Sequence, residues 1–173
     1  MEVSIEQPPR PNRGWFWGGV AALVRAFAAV SAAALGAMAL LVCADVAMRM
    51  AGRAFTGAHD LVGILAVLAV AGALPLTTAM KGHVAIEFFF DKLGPRARLA
   101  VDSLMRAVMI LALAAATHGF IARAENMRRY NEVSITLQIP LFWLFWVLAA
   151  SCVLTALVVL FHLVKPGKEM VKP

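Results

Sequence analysis

Residues 139–164, "IPLFWLFWVLAASCVLTALVVLFHLV", form a run without Asp, Glu, Lys or Arg. The hydrocarbon core of a bilayer is about 30 Å thick, so an α-helix needs roughly 20 apolar residues to cross it. This run is long enough, and residues 61–80, "LVGILAVLAVAGALPLTTAM", form a second run that is also free of charge. The two runs predict membrane-spanning helices and place the rest of the chain around a bilayer.

The composition of the whole chain points to the same environment. Hydrophobic residues make up 62% of the chain and the mean hydropathy is +0.81, whereas soluble domains are about 45–50% apolar. Two further apolar runs lie at about 26–48 and 99–122, and the latter carries Asp102 and Arg106 in its first two turns. The sequence therefore predicts an all-α integral membrane protein with four transmembrane helices. A chain of 173 residues then forms a single membrane domain, with no room for a soluble one.

The distribution of Lys and Arg near the span ends predicts the orientation, because cytoplasmic connections carry an excess of these residues. The tail at residues 1–24, the second connection and the C-terminus share one side, and the first and third connections share the other. The first side has nine basic residues: Arg10, Arg13, Lys81, Lys92, Arg96, Arg98, Lys165, Lys168 and Lys172. The second side has five: Arg49, Arg53, Arg123, Arg128 and Arg129. Both termini are therefore expected in the cytoplasm. The net charge of +6 then reflects topology and anionic lipid, and nucleic acid is not expected as a partner.

The connection at about 81–96, "KGHVAIEFFFDKLGPR", combines three phenylalanines with alternating charges. The pattern predicts a short interfacial amphipathic helix, with Val84 and Phe88 among the headgroups and Glu87 in water. Gly94 and Pro95 would end this helix and turn the chain into the third span. Two interpretations of the aromatic cluster remain open, since it would fit either lipid or a protein partner.

The stretch at residues 71–98, "AGALPLTTAMKGHVAIEFFFDKLGPRAR", resembles the end of the second span in the small membrane subunit, or Q subunit, of tripartite ATP-independent periplasmic (TRAP) transporters. Four apolar runs, Arg49 just after the first run, and "LQIPLFWLFWVL" at the fourth also fit this family. The resemblance covers roughly residues 42–148. The family usually has a Trp and paired acidic residues between Arg49 and the second span. Here Asp60 fills one acidic place and His59 stands where the other would be.

The resemblance implies an accessory subunit without enzymatic activity, which orients a large transport subunit. In such transporters the large multi-span subunit carries the sodium-coupled site, and a periplasmic binding protein delivers an organic acid. The resemblance also suggests the candidate partner-interface residues: Arg49, Asp60, Gly82, His83, Glu87, Phe88 and Phe89.

Ionisable residues within the runs are few, and a substrate path would require them. Asp45 and Arg49 lie one helical turn apart, as do Asp102 and Arg106, so we expect each pair to form a local ion pair. No phosphate loop, zinc-ligand spacing or serine nucleophile motif is visible, and we expect no metal, cofactor or catalytic residue. His118 near the end of the third run leaves one alternative function, a haem-binding membrane anchor subunit of a respiratory enzyme.

The positions of small residues and of one proline predict features of helix packing. The pairs Ala32–Gly36, Ala69–Ala73 and Ala115–Gly119 have the four-residue spacing that permits close helix contacts. Pro75 predicts a bend in the second span, where Thr77 or Thr78 would satisfy backbone groups.

Overall fold

The computed structural model describes residues 15–53, 55–80 and 95–164. They form four helices: α1 at Trp15–Met50, α2 at Ala58–Ala79, α3 at Pro95–Arg129 and α4 at Phe142–Val164. Each is long and apolar enough to cross a membrane. Within the described ranges there is no strand, and the one β-bridge pairs Val133 with Pro140. The predicted all-α class with four transmembrane helices is therefore confirmed, while residues 81–94 of the predicted interfacial helix lie outside the described residues.

The lengths of the helices fall into two classes. At 1.5 Å per residue, the 22 residues of α2 and the 23 of α4 span about 33 and 35 Å, close to the thickness of a hydrocarbon core. The 36 residues of α1 and the 35 of α3 span more than about 50 Å, so these helices tilt or extend past the core. They exceed the runs predicted at 26–48 and 99–122 because α1 begins earlier, in the mostly apolar stretch from Trp15, and α3 continues to Arg129 through residues that include the good helix formers Ala, Glu, Met and Arg.

Helices α2 and α4 occupy the middle of the fold. Helix α2 packs against α1 and α4, and α4 also packs against α3. Extensive contact between α1 and α3 is absent from the described part of the chain, so these two helices form the edges. Half of the most apolar stretch of α4 is buried, whereas none of that of α3 is. The fold therefore presents two broad apolar edges to its surroundings.

The apolar core lies at the end where α1 begins and where α2 and α4 end. The ring of Trp17 packs on that of Phe161, with centroids 4.8 Å apart. Three helices meet in the buried cluster, which consists of Val20, Ala21 and Val24 from α1, Ala79 from α2, and Leu154, Val158 and Phe161 from α4. Apolar packing therefore fixes the three helices at this end.

Helices α1 and α2 approach each other closely at Gly72. A Cβ added there would overlap the Phe27 carbonyl oxygen and lie 2.7 Å from the Ser31 Cβ. The Ser31 hydroxyl also donates a hydrogen bond to the Ala69 carbonyl, at 2.6 Å. Backbone contact between α1 and α2 therefore depends on a glycine that the predicted small pairs did not include.

Among those predicted pairs, only Ala69–Ala73 is partly buried. Both members of Ala32–Gly36 and Ala115–Gly119 are exposed, and a Cβ on either glycine would meet nothing within 4 Å. In an alanine-rich chain, this spacing also arises on faces that meet no other helix of the same chain.

Pro75 lies inside α2, as expected. Thr77 and Thr78 donate hydrogen bonds to carbonyls of the same helix, each reaching the Leu74 carbonyl at 3.0 Å. The carbonyl that Pro75 itself leaves without a helical donor is that of Ala71, and Ser151 of α4 donates to it. Sequence reasoning assigned the threonines to this region but missed the serine.

Candidate functional site

The end of the bundle where α1 and α3 end and α2 and α4 begin, called here the Asp60 end, carries a network of polar contacts. Asp60 lies in the first turn of α2. Its Oδ2 atom accepts a hydrogen bond from the Ser134 hydroxyl at 2.8 Å and from the backbone N–H groups of Thr136 and Leu137, each at 2.9 Å. One carboxylate oxygen thus fixes the connection between α3 and α4, residues 130–141, which we call the 130–141 loop.

The 130–141 loop also has its own backbone pairing. The Ser134 N–H donates to the Ile139 carbonyl at 2.9 Å, and the Ile139 N–H reaches the Ser134 hydroxyl at 3.4 Å. Asn131 and Gln138 adopt φ values of 50° and 52°, in the left-handed region that non-glycine residues rarely enter. These turns bring the two halves of the loop together, so Ser134 serves both the loop and Asp60.

A side-chain contact adds to the hydrogen bonds that hold the loop on α2. Leu137 lies over Gly57, where an added Cβ would be only 2.7 Å from the Leu137 Cδ2 atom. Gly57 is the N-cap residue of α2 and provides no side-chain cap. The loop therefore covers the beginning of α2 and packs directly on its backbone.

Arg49 lies at the same end of the molecule, in the last turn of α1. Its Nε atom forms an ion pair with the Asp45 Oδ2 atom at 2.9 Å, which confirms the local pair predicted from the i, i+4 spacing. The Asp45 side chain is 14% exposed and that of Arg49 is 63% exposed. Arg49 is therefore neutralised within its own helix and still presents a guanidinium that another molecule can reach.

Two further ion pairs surround the 130–141 loop. The Arg123 Nη2 atom lies 2.9 Å from the Glu132 Oε2 atom, joining α3 to the loop, and the Arg129 Nε atom lies 3.3 Å from the Glu125 Oε1 atom. All four side chains are substantially exposed, so each pair contributes at most about 1 kcal/mol. These four exposed side chains affect the electrostatics of the Asp60 end more than the stability of the protein.

The structure thus places two of the predicted interface residues, Arg49 and Asp60, at the Asp60 end. Asp60 has an intramolecular role there that the sequence did not reveal, although the Ser and Thr residues just before Pro140 are typical of side chains that organise a turn. The remaining predicted interface residues lie outside the described residues: Gly82, His83, Glu87, Phe88 and Phe89.

His118, the histidine considered as a possible haem ligand, is exposed, and so is His59. In the part of the chain that the structure describes, no group of three or more His, Cys, Asp or Glu side chains is arranged to hold a metal ion. The two described cysteines are free, with Cys43 exposed and Cys152 buried.

Comparison with known protein families gives one match. The model of the family described as "Tripartite ATP-independent periplasmic transporters, DctQ component" matches residues 38–167. The matched range includes the second part of α1, all of α2, α3 and α4, and the 130–141 loop. Neither the comparison with curated proteins nor that with solved structures finds a match.

Proposed function

The chain belongs to the DctQ component family of the tripartite ATP-independent periplasmic transporters, and from this premise we propose that it stabilises and orients the large transport subunit. The family works as a tripartite complex, in which a small membrane component joins a large membrane subunit and a periplasmic binding protein. The family is not known for enzymatic activity. The proposed role is accessory and does not include binding of the transported substrate.

The chemistry of the buried polar side chains supports this proposal. In the described residues, the buried polar side chains are Thr78, Ser134, Ser151 and Thr155. Each is a hydroxyl that donates to an acceptor in this chain: three donate to backbone carbonyls and Ser134 to Asp60. A path for an ionic substrate needs buried ionisable groups that face a cavity. The buried hydroxyls are instead satisfied by contacts within helices, between two helices and between the loop and α2, so we assign the substrate path to the large subunit.

The two edges of the fold are suitable surfaces for a membrane partner. Large apolar side chains are exposed on both edge helices, including Leu35 and Leu40 on α1 and Leu104, Val108 and Leu111 on α3. Lipid and another membrane-spanning subunit both satisfy such surfaces. We propose that one edge contacts the large subunit while the other faces lipid.

The finer parts of the proposal concern substrate, coupling and orientation. We propose sodium-coupled uptake of an organic acid, delivered by the periplasmic binding protein. From the distribution of basic residues, we propose that both termini are cytoplasmic and that the Asp60 end is periplasmic. The protein would then be a multi-pass component of the bacterial inner membrane. The partner contacts are proposed at Arg49 and Asp60 on the periplasmic side, and at Gly82, His83, Glu87, Phe88 and Phe89 on the cytoplasmic side.

Reconstitution tests this function directly. The chain alone, the large subunit alone and both together are placed in proteoliposomes with the binding protein, and uptake is measured with a panel of radiolabelled organic acids under a sodium gradient. We expect the chain to co-purify with the large subunit, and uptake to require both. Sodium-driven uptake by this chain alone would refute the accessory role. A Soret band in the purified chain would instead support the haem-anchor alternative.

A further inference from the structure

The 130–141 loop exposes apolar side chains to an unusual degree for a connection between helices. Ile135 is 96% exposed, Tyr130 77% and Val133 46%. Exposed apolar side chains concentrated in one short segment suggest a site of interaction.

Hydrogen bonds hold the loop that exposes these apolar side chains. The Asp60 carboxylate holds the residues on both sides of Ile135, because it accepts hydrogen bonds from the Ser134 hydroxyl and from the Thr136 N–H. The bridge between Val133 and Pro140 closes the base of the loop. Ile135 is therefore held in an exposed position by the contacts of its two neighbours.

The same contacts fix the height of Ile135 along the bundle. Thr136 bonds to the first turn of α2, and consecutive Cα atoms are about 3.8 Å apart, so Ile135 lies near the level of that turn. Helix α2 spans about 33 Å, against about 30 Å for a hydrocarbon core. The first turn of α2 is then at the boundary between acyl chains and headgroups. The loop lies over the beginning of α2, and it places an isoleucine at that boundary.

The chain on either side of Ile135 has residues typical of a membrane interface. Tyr130 is amphipathic, as are Trp143 and Trp146 at the start of α4, and such rings favour the headgroup layer. Arg128 is exposed, and no acidic side chain among the described residues forms an ion pair with it. A positive charge beside aromatic and apolar side chains complements the phosphates of phospholipid headgroups.

We propose that the 130–141 loop is a membrane-inserting element, which places Ile135 at the acyl boundary of the bilayer and Tyr130 and Arg128 among the phospholipid headgroups. Its occupant is the lipid surface and not a soluble protein. The Asp60 carboxylate is the anchor that presents the loop to the lipid. This assignment goes beyond the accessory function and does not depend on which subunit carries the substrate.

Accessibility of a spin label tests the proposal on the full chain. A nitroxide is attached to Ile135→Cys in a background carrying Cys43→Ala and Cys152→Ala, and the protein is reconstituted in nanodiscs of phosphatidylethanolamine and phosphatidylglycerol. Power saturation compares collisions with oxygen, which concentrates in lipid, and with a water-soluble nickel complex. A label at Leu111, 72% exposed in the middle of α3, provides the lipid reference.

We expect the label at residue 135 to favour oxygen over the nickel complex, less strongly than the label at Leu111. Asp60→Ala should shift residue 135 toward the nickel complex, while His59→Ala, which changes an exposed neighbour, should not. A label at residue 135 that favours the nickel complex with Asp60 intact would overturn the proposal. Loss of access to both reagents when the large subunit is added would also overturn it, since protein rather than lipid would then cover Ile135.

Discussion

The Ser151 hydroxyl supplies α2 with the hydrogen-bond donor that Pro75 lacks. Proline has no N–H, so the carbonyl four residues before it, that of Ala71, loses its helical partner. Ser151, from α4, donates to this carbonyl. Both Ser151 and Pro75 are fully buried. In a membrane interior an unsatisfied carbonyl is costly, so the proline in one helix and the serine in another form a single structural unit.

Ser151→Ala should destabilise the protein by about 0.5–2 kcal/mol, the range of interhelical hydrogen bonds in membranes. Pro75→Ala restores an N–H for the Ala71 carbonyl, so the effect of Ser151→Ala should become smaller in the Pro75→Ala background. Reversible unfolding in mixed detergent micelles measures the stability of the unchanged protein, of each single variant and of the double variant. Ser103→Ala, at an exposed position of α3, is the control. If Ser151→Ala lowered the free energy of unfolding equally in both backgrounds, Ser151 and Pro75 would not be energetically coupled.

Gly72→Ala should destabilise the contact between α1 and α2. The new Cβ would meet the Phe27 carbonyl oxygen, which belongs to the backbone and cannot rotate away. Overpacking of this kind costs about 1–3 kcal/mol. Gly36→Ala is a matched control, because a Cβ there meets nothing within 4 Å and alanine is the better helix former by up to about 1 kcal/mol. Thermal unfolding in detergent should therefore show a lowered midpoint for Gly72→Ala and an unchanged or raised one for Gly36→Ala.

Asn131→Cys should react with a membrane-impermeant maleimide added from the periplasm, and Lys92→Cys should not. The expectation follows from the nine-to-five distribution of basic residues about the spans. Asn131 is exposed in the 130–141 loop, so the label can reach it. Both variants carry Cys43→Ala and Cys152→Ala, and lysed cells give the total reactivity of each cysteine. The reverse pattern would invert the proposed orientation.

Phe88→Leu or Phe89→Leu should lower the yield of the large subunit in co-purification while the variant inserts normally. A lipid-facing helix requires only apolar bulk, whereas a fitted protein contact depends on the shape of the ring. Yield is measured against the amount of each variant in the membrane. We also expect a sharp turn at Gly82, where glycine permits backbone conformations that larger residues resist, so Gly82→Val provides a variant expected to fail in either environment. Full yield and uptake with both Leu variants would identify the connection at 81–96 as a lipid-facing element.

The local features of this protein can be predicted from its amino-acid sequence. Four helices follow from apolar runs of sufficient length, because crossing a hydrocarbon core is a requirement that each segment meets on its own. The ion pair between Asp45 and Arg49 follows from the helical period, which brings residues four apart onto one face. Family resemblance was also readable, since the matching residues stand in order along the chain.

Which faces of the helices meet depends on contacts between residues far apart in the chain. Asp60 and Ser134 are 74 residues apart, and Ser151 and the Ala71 carbonyl are 80 apart. Lipid is as apolar as a protein interior, so a sequence does not distinguish an alanine or glycine that faces another helix from one that faces lipid. Gly72 and Gly36 are alike in the sequence, yet one permits backbone contact and the other is exposed. The difference arises from long-range packing, which fixes the partner of each helix face only when the whole chain has folded.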